Sequence, residues 1–376
     1  HRDAAERTLL TVIDDTEGPG PIDTHLAEAV FAAAGIRRYA DGGHVLDACN
    51  KALELADHLG PEHRSQLLPL LAAPLIGARG AEESTPWHHP NEIVALVDAC
   101  HARLSSVLAE GAATAQTLTT DGPEETALLA ALFDDDVQKV IAAVEESLRT
   151  GVAPAEVADT VAYAAGVRLA RFAPSNEVGD WFNPQDTFIF SNAVAQAVRR
   201  SRDPDVVRNI YDAAVAVYLD RYLNVPPAAI PAGTDALSAG SDDGRRLDRA
   251  ALLRLFDQRS DGLVAAAAVG GILEADEPDW QPADRVATLV DALALATLRE
   301  DLDFHSLQLL EAAATQTVDR ERAADATHAT RATQRTARIF AGVVRNLAAH
   351  CPTRRAGEQT ALIARRLQRG EHIYEE

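Results

Sequence analysis

The sequence predicts an all-α protein, and three observations carry that expectation. Aromatic residues make up only 5% of the chain while alanine and leucine recur throughout, whereas strands prefer β-branched and aromatic residues. Apolar residues return at the helical period over long stretches. The segments that show this period open on proline or an acid and often close on arginine, as a helix dipole prefers. With 376 residues the chain can bury one large core or two to three smaller ones.

Taken in order, the helical segments read as degenerate copies of one unit, two clear and a third weaker, stacked into one compact body. Residues 21–37 (PIDTHLAEAVFAAAGIR) form the first helix of copy one, residues 41–59 the second, and 63–79 a further amphipathic stretch. A clear helix, NEIVALVDACHARL, starts at Asn91 after the approach containing His88 and His89. Copy two opens at residues 154–168, where Ala165-Gly166-Val167-Arg168 echoes Ala34-Gly35-Ile36-Arg37; its second helix is 183–200 and its third 204–223. A weaker echo, 282–299, is followed by a helix over 301–316. Such units cannot bury their apolar faces alone and must stack. The expected layout is copy one over 1–116, copy two over 125–224, a connector rich in Pro, Gly, Ser and Asp at 225–246, and copy three with an arginine-rich C-terminal helix over 247–376.

Charge and composition exclude several functions. A formal charge of −22, with Lys51 and Lys139 the only lysines among 35 basic residues, argues against nucleic acid and against anionic membranes. The longest apolar stretch, 67–78, is too short to span a bilayer and carries Pro69 and Pro74, so it reads as a kinked core helix. Cys49, Cys100 and Cys351 are far apart, which rules out a disulfide framework or a four-cysteine cluster and points to the cytoplasm. Glycine-rich phosphate loops and the GxSxG nucleophile motif are absent.

Candidate chemistry centres on histidines at helix starts. His44 opens the second helix of copy one and His305 the matching helix of copy three, while copy two has Gln185-Asp186 there. Repeat symmetry would bring these positions together as catalytic or metal-ligating groups, with His25 as a further ligand. Local helix capping is the alternative reading. The string RFAPSNEVGDWFNPQD, 171–186, breaks the helical pattern and offers Glu177 and Asp180 as an acid–base pair or, equally, as a self-capped turn. The arginine-rich stretch 345–369 either pairs with the protein's own acidic helices or holds an anionic ligand, with Arg354 and Arg355 as candidate cofactor-binding residues.

Six strings spread along the chain, GHVLDACNKALELADHLG (43–60), RFAPSNEVGDW (171–181), TFIFSNAVAQAVRR (187–200), YLDRYLNVPPA (218–228), DFHSLQLLEAA (303–313) and AAHCPTRR (348–355), resemble a helical bacterial family named alongside Rieske-type iron–sulfur proteins. A more distant resemblance, carried by His305 in DFHSLQLLEA, is to questin oxidase-like proteins. The resemblance implies an oxidoreductase, or a protein associated with one, that works with a Rieske-type iron–sulfur partner on a small-molecule substrate; the cofactor is left unspecified. In the questin oxidase-like pattern histidines also follow the RF of RF-x-x-x-NE and lie in the next helix, where this sequence has Ala173 and Ala195. That departure supports the alternative of a non-catalytic helical scaffold binding another protein.

Overall fold

The computed structural model describes residues 2–15, 24–83, 92–114, 123–173, 176–229, 282–300, 302–323, 329–351 and 364–370, with single helical positions between 253 and 269. Among these residues every extended element is a helix, and there is no β-strand. The all-α expectation holds. No helix among the described residues is long and apolar enough to cross a membrane. The chain divides into two compact units, one formed by 1–168 with 183–225 and the other by 169–182 with 226–376. Most of the connector at 225–246 lies outside the described residues, as does the His88-His89 approach.

The first unit contains α1 (Arg2–Asp15), α2 (Thr24–Ala34), α3 (His44–Leu59), α4 (Arg64–Leu67), α5 (Ala72–Gly77), α6 (Ile93–Ala112), α7 (Pro123–Leu132), α8 (Val137–Arg149), most of α9 (Pro154–Ala170) and of α10 (Phe182–Arg200), α11 (Pro204–Val207) and α12 (Asn209–Leu219). Over 67–78 the single kinked helix is replaced by α4, a 3-10 turn at Leu68–Leu71 and α5. Pro69 and Pro74 each fall in the first turn of a new segment, where a missing N–H leaves no intrahelical bond unmade.

Two kinds of helix build this unit. In α8, Asp136 caps the N-terminus by accepting from the Gln138 N–H, and Val137, Val140, Ile141, Val144 and Leu148 form one buried stripe. That stripe meets α6, whose buried Ile93, Val97, Cys100, Leu104, Val107 and Gly111 keep the same period. Gly111 is required at the crossing, because a Cβ there would lie 2.1 Å from the Leu148 carbonyl oxygen. By contrast, α12 is buried on all sides from Asn209 to Tyr218, the mark of a central helix rather than a surface one.

Helices α3 and α10 run side by side in the same direction. The Asn50 side-chain amide donates to the Ala193 carbonyl at 2.8 Å, and Arg200 pairs with Asp57 at 2.6 Å. Gly43 abuts Phe190 at the start of the pair: a Cβ on Gly43 would lie 2.4 Å from the Phe190 Cβ. Partners on α3 and α10 therefore advance together, which sets the first turn of one helix beside the first turns of the other.

The second unit contains α13 (Pro282–Arg299), α14 (Phe304–Ala323) and α15 (Ala329–His350), which pack on one another through Val286, Leu289 and Leu293, through Leu309 and Ala313, and through Phe340, Val344 and Leu347. Within it, buried Arg345 donates to the carbonyls of Ala170 at 2.6 Å and Phe172 at 2.8 Å, while its guanidinium lies 5.2 Å from the Trp181 ring centroid. These carbonyls lie at and just beyond the C-terminus of α9, where a cation is favoured. Arg354 and Arg355 lie outside the described residues.

Candidate functional site

The turn between α2 and α3 is the most strained backbone described. Tyr39 (φ 49°) and Asp41 (φ 45°) adopt the left-handed region, followed by Gly42 (φ 67°) and Gly43 (φ 89°). A non-glycine residue held there costs roughly 1–3 kcal/mol, and such residues gather at ligand sites and switches. The surrounding structure imposes the conformation. The Asp41 N–H donates to the Arg79 carbonyl at 2.7 Å, the Arg79 N–H donates to Asp41 Oδ1 at 3.1 Å, and the Ala81 N–H donates to the Arg38 carbonyl at 2.7 Å.

Two helical faces look at this turn. Asn183, Asp186, Thr187 and Phe190 occupy i, i+3, i+4 and i+7 of α10. Ala216, Leu219, Asp220 and Leu223 repeat that spacing on α12 and the 3-10 turn after it. Asn183 and Thr187 of the first face and all four residues of the second line, with Tyr39, Asp41 and Gly42, an open cavity of about 500 Å³, within the range of small-molecule sites.

The cavity's acids differ in character. Asp220 is 7% exposed, and burial, opposed by the Thr187 hydroxyl and Arg168 and reinforced by Asp186, pushes its carboxyl up to about 7. Its Oδ2 has no hydrogen-bond partner. Burial, with Asp186 and Asp220 nearby, raises the Tyr39 phenol well above its ordinary value, and the Thr187 hydroxyl is the hydrogen-bond partner of both groups. Near neutral pH the site therefore holds a phenol that stays protonated and a carboxyl that exchanges its proton.

His44 opens α3 directly after the strained turn, and its ring offers a ligand atom within 4.8 Å of an Asp186 carboxylate oxygen. Gly42 lies against that carboxylate, since a Cβ on it would sit 3.3 Å from Asp186 Oδ2. An imidazole and a carboxylate at this spacing suit a divalent transition metal.

The remaining sequence candidates have other surroundings. The His25 side chain is 89% exposed and contacts Glu28 at 3.2 Å. Glu177 and Asp180, in the second unit, form a capping box around the 3-10 turn Val178–Trp181, with the Glu177 N–H donating to Asp180 at 3.0 Å. His305, also there, opens the α14 helix region beside Asp303 at 3.1 Å, with its ring 5.7 Å from that of Phe182. Sequence reading passed over Tyr39, Asp41, Thr187 and Asp220. The helical spacing of 183, 186 and 187 and the Asp41-Gly42-Gly43 turn signal were there to find; the left-handed Tyr39 has no local signature.

The first unit holds a second buried polar group. Asp212 is fully buried, neither of its oxygens has a hydrogen-bond partner, and burial, offset by Arg38 and Arg208, raises it to about 7. Next to the same arginines, burial and their charge lower the His101 imidazole to about 4. Arg208 is held by the Gly35 carbonyl at 2.6 Å, and Arg38 by an ion pair with Asp98.

Comparison of the chain with protein-family models, with curated proteins and with solved structures gives no match in any of the three.

Proposed function

We propose that the first unit carries a metal-assisted acid–base site for a small molecule bound in the 500 Å³ cavity, within an oxidoreductase of the kind the family resemblance implies. One observation carries this reading: His44 and Asp186 present ligand atoms within 4.8 Å beside a cavity whose Asp220 exchanges its proton near pH 7. In this reading Asp220 takes a proton from the substrate or returns it, Tyr39 donates a hydrogen bond to a substrate oxygen, and Asn183 orients the polar end. A metal held by His44 and Asp186 would supply Lewis-acid or redox chemistry.

The sequence expectation adds His305 as a second histidine. Metal analysis of the purified chain, followed by calorimetric titration with Fe²⁺, Mn²⁺ and Zn²⁺, tests the proposal. Near-stoichiometric binding lost in His44→Ala and Asp186→Asn is the expected result, and the same titration on His305→Ala decides whether that residue belongs to the set. Fully folded protein that binds no metal would hand the lead to the scaffold reading. Cytoplasmic location and a Rieske-type partner remain part of the proposal; co-purification with an iron–sulfur protein would support the partner.

A further inference from the structure

A second cavity of the first unit, about 750 Å³, lies between α1, α2 and α5. Its walls are hydrocarbon. Leu9, Leu26, Ala29, Ala33, Leu75 and Ile76 are typical, and among the described residues the ionisable ones lining it are His25, Arg37 and Arg79, in a chain of net charge −22. Ile36 and Ile76, both on this wall, are 67% and 50% exposed, far more apolar surface than a closed core leaves.

The polar residues divide unequally. Arg37 is engaged by Glu83 and approaches Glu82. The Arg79 side chain is 75% exposed and makes only a loose 3.8 Å approach to Glu83. Arg79 also lines the polar cavity described above, so the groove and that cavity meet at this residue. A largely exposed guanidinium at the seam between a hydrocarbon groove and a polar cavity matches a molecule with an apolar body and a carboxylate head.

We propose that the groove binds the hydrocarbon chain of an amphipathic carboxylic acid whose head pairs with Arg79. Binding rests on the groove alone; only the assignment of such acids as the substrate class rests on the metal-assisted reading. A neutral apolar molecule would leave Arg79 without a role, and a cationic amphiphile would place like charge beside it.

Titration calorimetry of the full chain with dodecanoate, dodecanol and dodecyltrimethylammonium, all below their micelle concentrations, tests the proposal. Dodecanoate is expected to bind at least tenfold more tightly than dodecanol, and the cation not at all. Arg79→Ala should bring dodecanoate down to the dodecanol level. Ala29→Trp, which fills the groove, should abolish binding of both, and Ile76→Glu on the exposed wall provides a second block if the first variant loses helicity. Equal binding of acid and cation, or dodecanoate binding unchanged by either block, overturns the inference. Metal titration of the same variants separates the two proposals: a groove that fails beside an intact metal site removes only the ligand class, and the reverse removes only the metal.

Discussion

Two buried carboxyls and a half-buried imidazole couple stability to pH between about 4 and 7. Asp212 and Asp220 titrate at about 7 in the folded protein and near 3.9 when unfolded, so between those values the folded chain holds protons the unfolded chain has released. Their contribution is fully present below about pH 4 and is lost as pH rises through 7. His101 works the other way: lowered to about 4 from an ordinary 6.5, it contributes stability above 6.5 that is lost as pH falls toward 4. Two groups oppose one, so denaturant titrations should show stability declining from pH 4 to 7. Asp212→Asn and Asp220→Asn should each flatten that decline and stabilise the protein at pH 8, and a stability that rises toward neutrality would contradict both assignments. Gly43→Ala should cost about 1–3 kcal/mol in the same measurement, since a methyl group meets Phe190 at a left-handed backbone. None of this was readable from residue types. Asp212 stands among apolar neighbours in a helix whose burial on all sides only packing decides, and Asp220 follows that helix on a short 3-10 turn.

At the scale of elements, periodicity and termini located most helices, and the echo at 282–299 coincides with α13. The stretch at 67–78 departed from expectation because two prolines break the intrahelical ladder twice. The parallel pairing of α3 with α10 was not legible, since its contacts are set by residues far apart in sequence. Asn50 supplies one of the polar bonds of that pairing. Asn50 is 3% exposed, and Asn50→Ala should destabilise by about 1–3 kcal/mol by leaving the Ala193 carbonyl without this donor. Arg345→Met keeps the length of the side chain but removes the donors to Ala170 and Phe172. A similar loss is expected, together with a change in the near-ultraviolet signal of Trp181, whose ring the guanidinium approaches. A Trp181 signal indifferent to the substitution would show that Arg345 does not hold this segment.

Across the whole molecule, the charge of −22 sets the partners the protein meets. At physiological salt it should not retard duplex DNA in a gel, because its 35 basic residues are outnumbered by 57 acidic ones that repel phosphate; a shift there would overturn the exclusion drawn from composition. The lockstep of α3 and α10 has a consequence for how this protein can change over time. Asn50 meets Ala193 and Asp57 meets Arg200 at one common separation of 143 residues, so the two helices are held in a single rotational phase. One residue inserted into α3 turns everything beyond it by about 100° and advances it 1.5 Å. Placed between Asn50 and Asp57, the insertion would strip Arg200 of its partner while sparing His44 and Asp186; placed between His44 and Asn50, it would set the candidate ligands against the rest of the helix. Loops can lengthen freely, but length variation inside these two helices is tolerable only when both change by the same amount at the same level.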